Sequence, residues 1–172
     1  DALADQTVTV TTTDNETAAF TKSETTQTVT EGAGTDTFTL VLNAQPVSDV
    51  VLNVVSADTG EVTVGAANYT FTNGNWNTPQ TVTLTGVNDT IVDTDTETTV
   101  TISVTDASSN DEYDDVADQT VTVTTTDNET AGYTKSQTTR TVTEAGGTQT
   151  FTLVLDAQPA TDVVLGVVSA DT

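Results

Sequence analysis

Valine and threonine alternate through most of this chain, and a period of two marks a half-buried β-strand. Successive side chains of a strand point to opposite faces, so in such a run each valine looks inward and each threonine outward. Both residue types are β-branched and stiff at χ1, which suits a pleated strand. The pattern predicts strands over Thr25–Thr30, Thr37–Leu42, Asp49–Ser56, Glu61–Val64, Tyr69–Thr72, Thr81–Thr85, Thr98–Thr105 and Thr120–Thr126. Phe38, Leu40 and Leu42 share one face, as do Val82 with Leu84, Val100 with Ile102 and Val104, and Val121 with Val123. Asp49–Ser56 is more continuously apolar, as a central strand would be. Turn formers stand between these runs: Glu31-Gly32-Ala33-Gly34, Gln45-Pro46, Asn73-Gly74-Asn75 and Val87-Asn88-Asp89. Seven or eight short strands at roughly 10–15-residue spacing predict an all-β chain with an immunoglobulin-like β-sandwich. Trp76, just ahead of a strand, reads as a plug over one end of the core rather than as a binding aromatic.

The chain also repeats itself. Residues 4–59 match residues 117–172 at an offset of 113, with 45 of the 56 pairs identical. Ala4–Ala18 recurs unchanged as Ala117–Ala131. Such a period is too long for a solenoid coil and is the size of one sandwich domain. The expected organisation is a tandem array: residues 1–17 are the last strand of a preceding repeat, 18–130 a complete sandwich, and 131–172 the first half of the next. Half a sandwich leaves an open sheet edge and an uncovered apolar face, so residues 131–172 call for completion by continuing chain or by a neighbouring copy. The stretch opens on Asp1, with no Met and no signal peptide, and reads as a window cut from something longer.

Composition narrows the chemistry. Twenty-six acidic residues face only Lys22, Lys135 and Arg140, for a net charge of −23. Such a surface repels phosphate backbones and anionic headgroups, which argues against nucleic acid as a partner. No apolar run approaches the roughly 18 residues of a membrane-spanning helix, so no direct membrane insertion is expected. With no His and no Cys there is no Ser-His-Asp triad, thiol nucleophile, disulfide or usual zinc site. Two carboxylates could in principle hydrolyse a glycoside, but nothing marks such a pair, and no enzyme is expected. The partner this surface favours is a cation.

The acidic residues cluster in loops. One run is Asn88–Glu97, with Asn88, Asp89 and Asp93. Another is Asp127-Asn128-Glu129, repeated as Asp14-Asn15-Glu16. A third is Asp106–Asp118, and Glu31 stands alone in VTEGAGT with Glu144 as its copy. Ca2+ takes about six to eight oxygen ligands, which Asp, Asn, Glu and backbone carbonyls supply. No EF-hand spacing is present, so a Ca2+ site here must be assembled from separate loops. Asp and Asn are also ordinary turn formers, and Asp106–Asp118 reads more simply as a solvated loop.

The chain resembles the Calx-β family. The matching stretches are VTEGAGTDTFTLVLNAQPVSDVVLNVVSADTGE, TPQTVTLTGVNDTIVDTDTE and TVTVTTTDNE, which together cover the complete repeat. The resemblance implies a sandwich that gathers Ca2+ at one tip through Glu31, Asn88, Asp89, Asp93, Asp127, Asn128 and Glu129. By repetition it implies Asp14, Asn15, Glu16 and Glu144 as the same positions in neighbouring repeats. Two positions depart from the family pattern. Asn68-Tyr69 stands where Asp-Tyr is frequent, and Asn88-Asp89 stands where paired aspartates are frequent, which implies fewer or weaker sites. Calx-β-like repeats are common in very large bacterial surface proteins. The expected role is therefore a Ca2+-stiffened structural repeat of an extracellular, cell-surface adhesin or fibre, acting as a spacer, with calcium and neighbouring repeats or copies of itself as partners. The alternative is a module that binds carbohydrate or protein weakly and acts by avidity.

Overall fold

The computed structural model describes residues 3–32 and 34–170. Its chain is built from β1 (Phe20–Lys22), β2 (Thr26–Thr30), β3 (Thr35–Leu42), β4 (Val50–Ser56), β5 (Val62–Val64), β6 (Asn68–Phe71), β7 (Gln80–Gly86), β8 (Ile91–Val92), β9 (Thr96–Val104), β10 (Gln119–Thr126), β11 (Tyr133–Lys135), β12 (Leu153–Leu155) and β13 (Gln158–Pro159). One sheet runs β1-β3-β7-β5 and the other β2-β10-β9-β4-β6. β2 runs parallel to β10, and β10 runs antiparallel to β9. Two facing sheets with alternating inward residues make the segment from β1 to β10 an immunoglobulin-like β-sandwich.

The alternation seen in the sequence sets the burial. Phe38, Leu40, Leu42, Val82, Leu84, Val100, Ile102, Val121 and Val123 are buried, while the intervening threonines of β7 and β10 stay partly or fully exposed, save Thr125. Val104 departs from the expected pattern and is only half-buried, because it lies at the strand end where β9 leaves the sheet. β1 and β8 were not legible as strands: each is two or three residues long, too short to show a period.

The Asp106–Asp118 loop is an anchor rather than a free solvated loop. Two 3₁₀ turns, Asp106–Ser108 and Asp111–Tyr113, fold it back over the sandwich. Asn110 caps the second turn by accepting from the Glu112 N–H at 3.0 Å. Ser109 Oγ accepts from the Val51 N–H at 2.9 Å. Tyr113 is then 1% exposed, and its hydroxyl donates to the Ala44 carbonyl at 2.5 Å. Tyr113 is the main plug of this end of the core; Trp76 is half-buried beside it.

The sandwich has two poles. The ends of β2, β7 and β10 and the start of β9 gather at one, which carries Glu31 and the acidic runs Asn88–Glu97 and Asp127–Glu129. Tyr113, Ala44 and Trp76 lie at the other. Residues 3–17 carry no strand and are exposed. Beyond residue 130, β11 pairs with β12 in the register of β1 with β3: Tyr133 faces Leu155 as Phe20 faces Leu42. Side-chain contacts repeat as well. Thr21 Oγ1 donates to Asn43 Oδ1 at 2.7 Å, and Thr134 Oγ1 donates to Asp156 Oδ1 at 2.7 Å. None of the described residues beyond 130 is buried, and Phe151, the copy of buried Phe38, is 45% exposed.

Candidate metal centre

The acidic pole begins with a tight turn after β2. The Glu31 N–H continues the β2:β10 pairing by donating to the Thr126 carbonyl at 3.2 Å, which draws Glu31 inward until it is 6% exposed. Gly32 then turns the chain at φ +74°, a left-handed conformation natural to glycine. A Cβ on Gly32 would stand 3.0 Å from Asn88 Oδ1 and 3.2 Å from Asn128 Nδ2. A Cβ on Gly86 would collide with the Thr30 carbonyl. These two glycines let the turn after β2 and the loop after β7 pack together.

The loop after β7 is folded by its own acidic side chains. Asp89 Oδ1 accepts from the Ile91 N–H at 2.7 Å. Asn128 Nδ2 donates to Asn88 Oδ1 at 3.0 Å, tying this loop to the segment after β10. The Thr94 N–H donates to Asp127 Oδ2 at 3.5 Å, and the Asp127 N–H donates to Asp95 Oδ1 at 3.3 Å. Thr94 holds φ +83°, a conformation that costs a β-branched residue on the order of 1–3 kcal/mol and that clusters at functional sites. Asp127 in turn folds the chain after β10: its Oδ1 accepts from the Glu129 N–H at 2.7 Å. This Asx turn swings Glu129 back toward Glu31.

Glu31, Asp127 and Glu129 thereby converge, each offering a carboxylate oxygen within 4.8 Å of the others. Glu31 Oε2 and Glu129 Oε2 are buried and, with both carboxyls ionised, find no donor among the described residues. Buried acceptors are ordinarily satisfied, and leaving one unmade is costly. Burial pushes the Glu129 carboxyl up to about 7, helped by hydrogen bonding with Glu31 and Asp127 and by their charge. Burial also raises Glu31, with Asp89 and Asp127 adding charge repulsion and a hydrogen bond from Glu129 opposing it. The Glu129 N–H holds Asp127 below the usual carboxylate range. Three carboxylate oxygens at this spacing could ligate one hard cation together.

Of the residues read from the sequence, Glu31, Asp127 and Glu129 form the triad, and Asn88 and Asn128 form an amide pair over Gly32 beside it. Asp89 and Asp93 are half-buried; Asp89 acts on Glu31 and both act on Glu61. Asp14, Asn15 and Glu16 are exposed; Asp14 and Glu16 line a cleft at the opposite pole, and the Asp14 turn is formed, with the Glu16 N–H donating to Asp14 Oδ1 at 3.2 Å. Glu144 is exposed in the segment beyond residue 130. Glu61 was missed. Burial raises its carboxyl, and Asp93, Asp58 and Asp89 add to the shift. Its signal was position: it precedes β5, whose start shares a pole with the end of β2 and of β7.

No protein-family model matches the chain, and no curated protein matches it in sequence. Solved structures are similar in fold. The apo-form Calx CBD1 domain is 12% identical with a TM-score of 0.46, over 66% of this chain and 100% of that one. A PapD-like domain of human CEP192 is 11% identical with a TM-score of 0.46, over 76% of this chain and 99% of that one. The periplasmic chaperone SfaE is 7% identical with a TM-score of 0.46, over 64% of this chain and 58% of that one. The chain thus spans less than two thirds of SfaE. The sandwich assignment rests on the strand pairing and burial described above.

Proposed function

We propose that this chain is a Ca2+-stiffened structural repeat of an extracellular bacterial adhesin or surface fibre, and that it acts as a spacer that extends a working tip from the cell. The observation that carries the reading is the convergence of Glu31, Asp127 and Glu129, with two buried carboxylate oxygens that, when ionised, find no donor among the described residues. Ca2+ bound there would satisfy both oxygens and offset part of the charge of a pole that also holds Asp89, Asp93 and Glu61. Asp127 and Glu129 follow the last strand of the sandwich and precede the next repeat, so a cation fixing them would restrict bending at the junction. Near-identical repeats suit a spacer, because length needs many copies alike whereas a single binding site does not.

Small-angle scattering of the chain with Ca2+ and with chelator tests this reading. A longer, stiffer particle with Ca2+ supports it. Superimposable curves overturn the stiffening role.

A further inference from the structure

Ile91 and Val92 are an apolar pair inside the acidic loop Asn88–Glu97, and the cation site has no use for them. They are β8, and they pair in parallel with β13 of the following segment: Ile91 faces Gln158, and Val92 faces Pro159. The Gln158 N–H donates to the Thr90 carbonyl at 3.0 Å. Gln158-Pro159 is the copy, at the 113-residue offset, of Gln45-Pro46.

Gln45-Pro46 lies at the Tyr113 pole of the complete sandwich. Beside it is a cleft of about 490 Å3 whose lining includes Asp14, Glu16, Gln45, Val47, Trp76 and Glu112. Val47 is 81% exposed there. Among the described residues the Gln45 N–H, the counterpart of the Gln158 donor, has no acceptor. Asp14 and Glu16 are the copies of Asp127 and Glu129, and Asp127 is bonded to the β8 loop through the Thr94 N–H. The acidic run that accompanies a β8 loop therefore already borders this cleft.

We infer that the Gln45–Val47 pole is a docking surface for the Thr90–Val92 loop of the preceding repeat in the same chain. Each junction is latched by a two-residue parallel bridge, with Ile91 and Val92 of one repeat against Val47 and Trp76 of the next. A bridge this short is weak between separate molecules and becomes effective when the tether holds the partners at high local concentration. The inference rests on the tandem organisation and is independent of the cation, so its test is run in chelator as well as in Ca2+.

The chain is lengthened by one period through its identical stretches, as residues 1–130 followed by 18–172. Ile91→Cys is placed in the first copy and Gln45→Cys in the second; the sequence has no other cysteine. Paired strands lie about 4.8 Å apart, within the span a disulfide bridges. Mild oxidation is expected to close an intramolecular disulfide about tenfold faster than a control pairing Ile91→Cys with Asp118→Cys, as local concentration requires. Val92→Cys with Pro46→Cys is expected to behave alike if the first pair disturbs folding. Equal rates for latch and control pairs overturn the inference. Disulfides formed solely between chains also overturn it, since they assign the pole to a separate copy.

Discussion

Glu129 carries the sharpest expectation at the scale of single residues. Without a cation its folded carboxyl titrates at about 7, against 4.5 for an ordinary glutamate. The folded state therefore holds this proton more tightly than the unfolded chain does. Its contribution to stability is present below about pH 4.5 and is lost as pH rises through about 7. In chelator the thermal midpoint should fall across that window, and Glu129→Gln should flatten the fall. Ca2+ competes with the same proton, so its apparent affinity should rise with pH up to about 7 and then level, with proton release seen as a buffer-dependent heat. An affinity unchanged between pH 5.5 and 7.5 would remove Glu129 from the site. Gly32→Ala makes a second test: the positive φ and the Asn88–Asn128 pair above it predict a loss of roughly 1–3 kcal/mol in denaturant unfolding. The triad was legible because each member is an acid at a strand end. Glu61 was not, because its role comes from β5 starting at the same pole, which a linear reading does not display.

Strands with a clear period were legible in the sequence almost to the residue, since β3, β7, β9 and β10 each bury every second side chain against the facing sheet. The Asp106–Asp118 loop was not, because its acidic composition hides one tyrosine whose burial is decided by tertiary packing. Tyr113→Ala should cost about 3–5 kcal/mol, as removal of a large buried ring does. Tyr113→Phe keeps the packing, loses the bond to Ala44, and should cost about 0.5–1.5 kcal/mol. Urea unfolding of the two variants separates these amounts. Equal losses would mean that the hydroxyl, not the ring, anchors the loop. β8 was illegible for a different reason: two residues have no period, and their partner lies in the next repeat.

Across the whole molecule, part of the charge of −23 is gathered where it repels itself, with Glu31, Glu61, Asp89, Asp93, Asp127 and Glu129 at one pole of the sandwich. Salt screens such repulsion, with a Debye length of about 8 Å at physiological strength. In chelator, added monovalent salt should therefore raise the thermal midpoint, and saturating Ca2+, by offsetting part of the charge at this pole, should reduce that salt dependence. The repeat was fully visible in the sequence, but the direction in which one repeat meets the next was not. That direction depends on β8 meeting β13 and on the Asx turn at Asp127 aiming Glu129 back into its own sandwich. The proposed spacer role depends on a calcium ion held by Glu31, Asp127 and Glu129. Calorimetric titration of Ca2+ into the chain and into its Glu31→Gln/Glu129→Gln variant tests it most directly. Saturable binding to the parent chain and at least a tenfold weaker affinity in the variant are expected. Identical isotherms for the two proteins, or no binding heat and no melting shift in either, would contradict it.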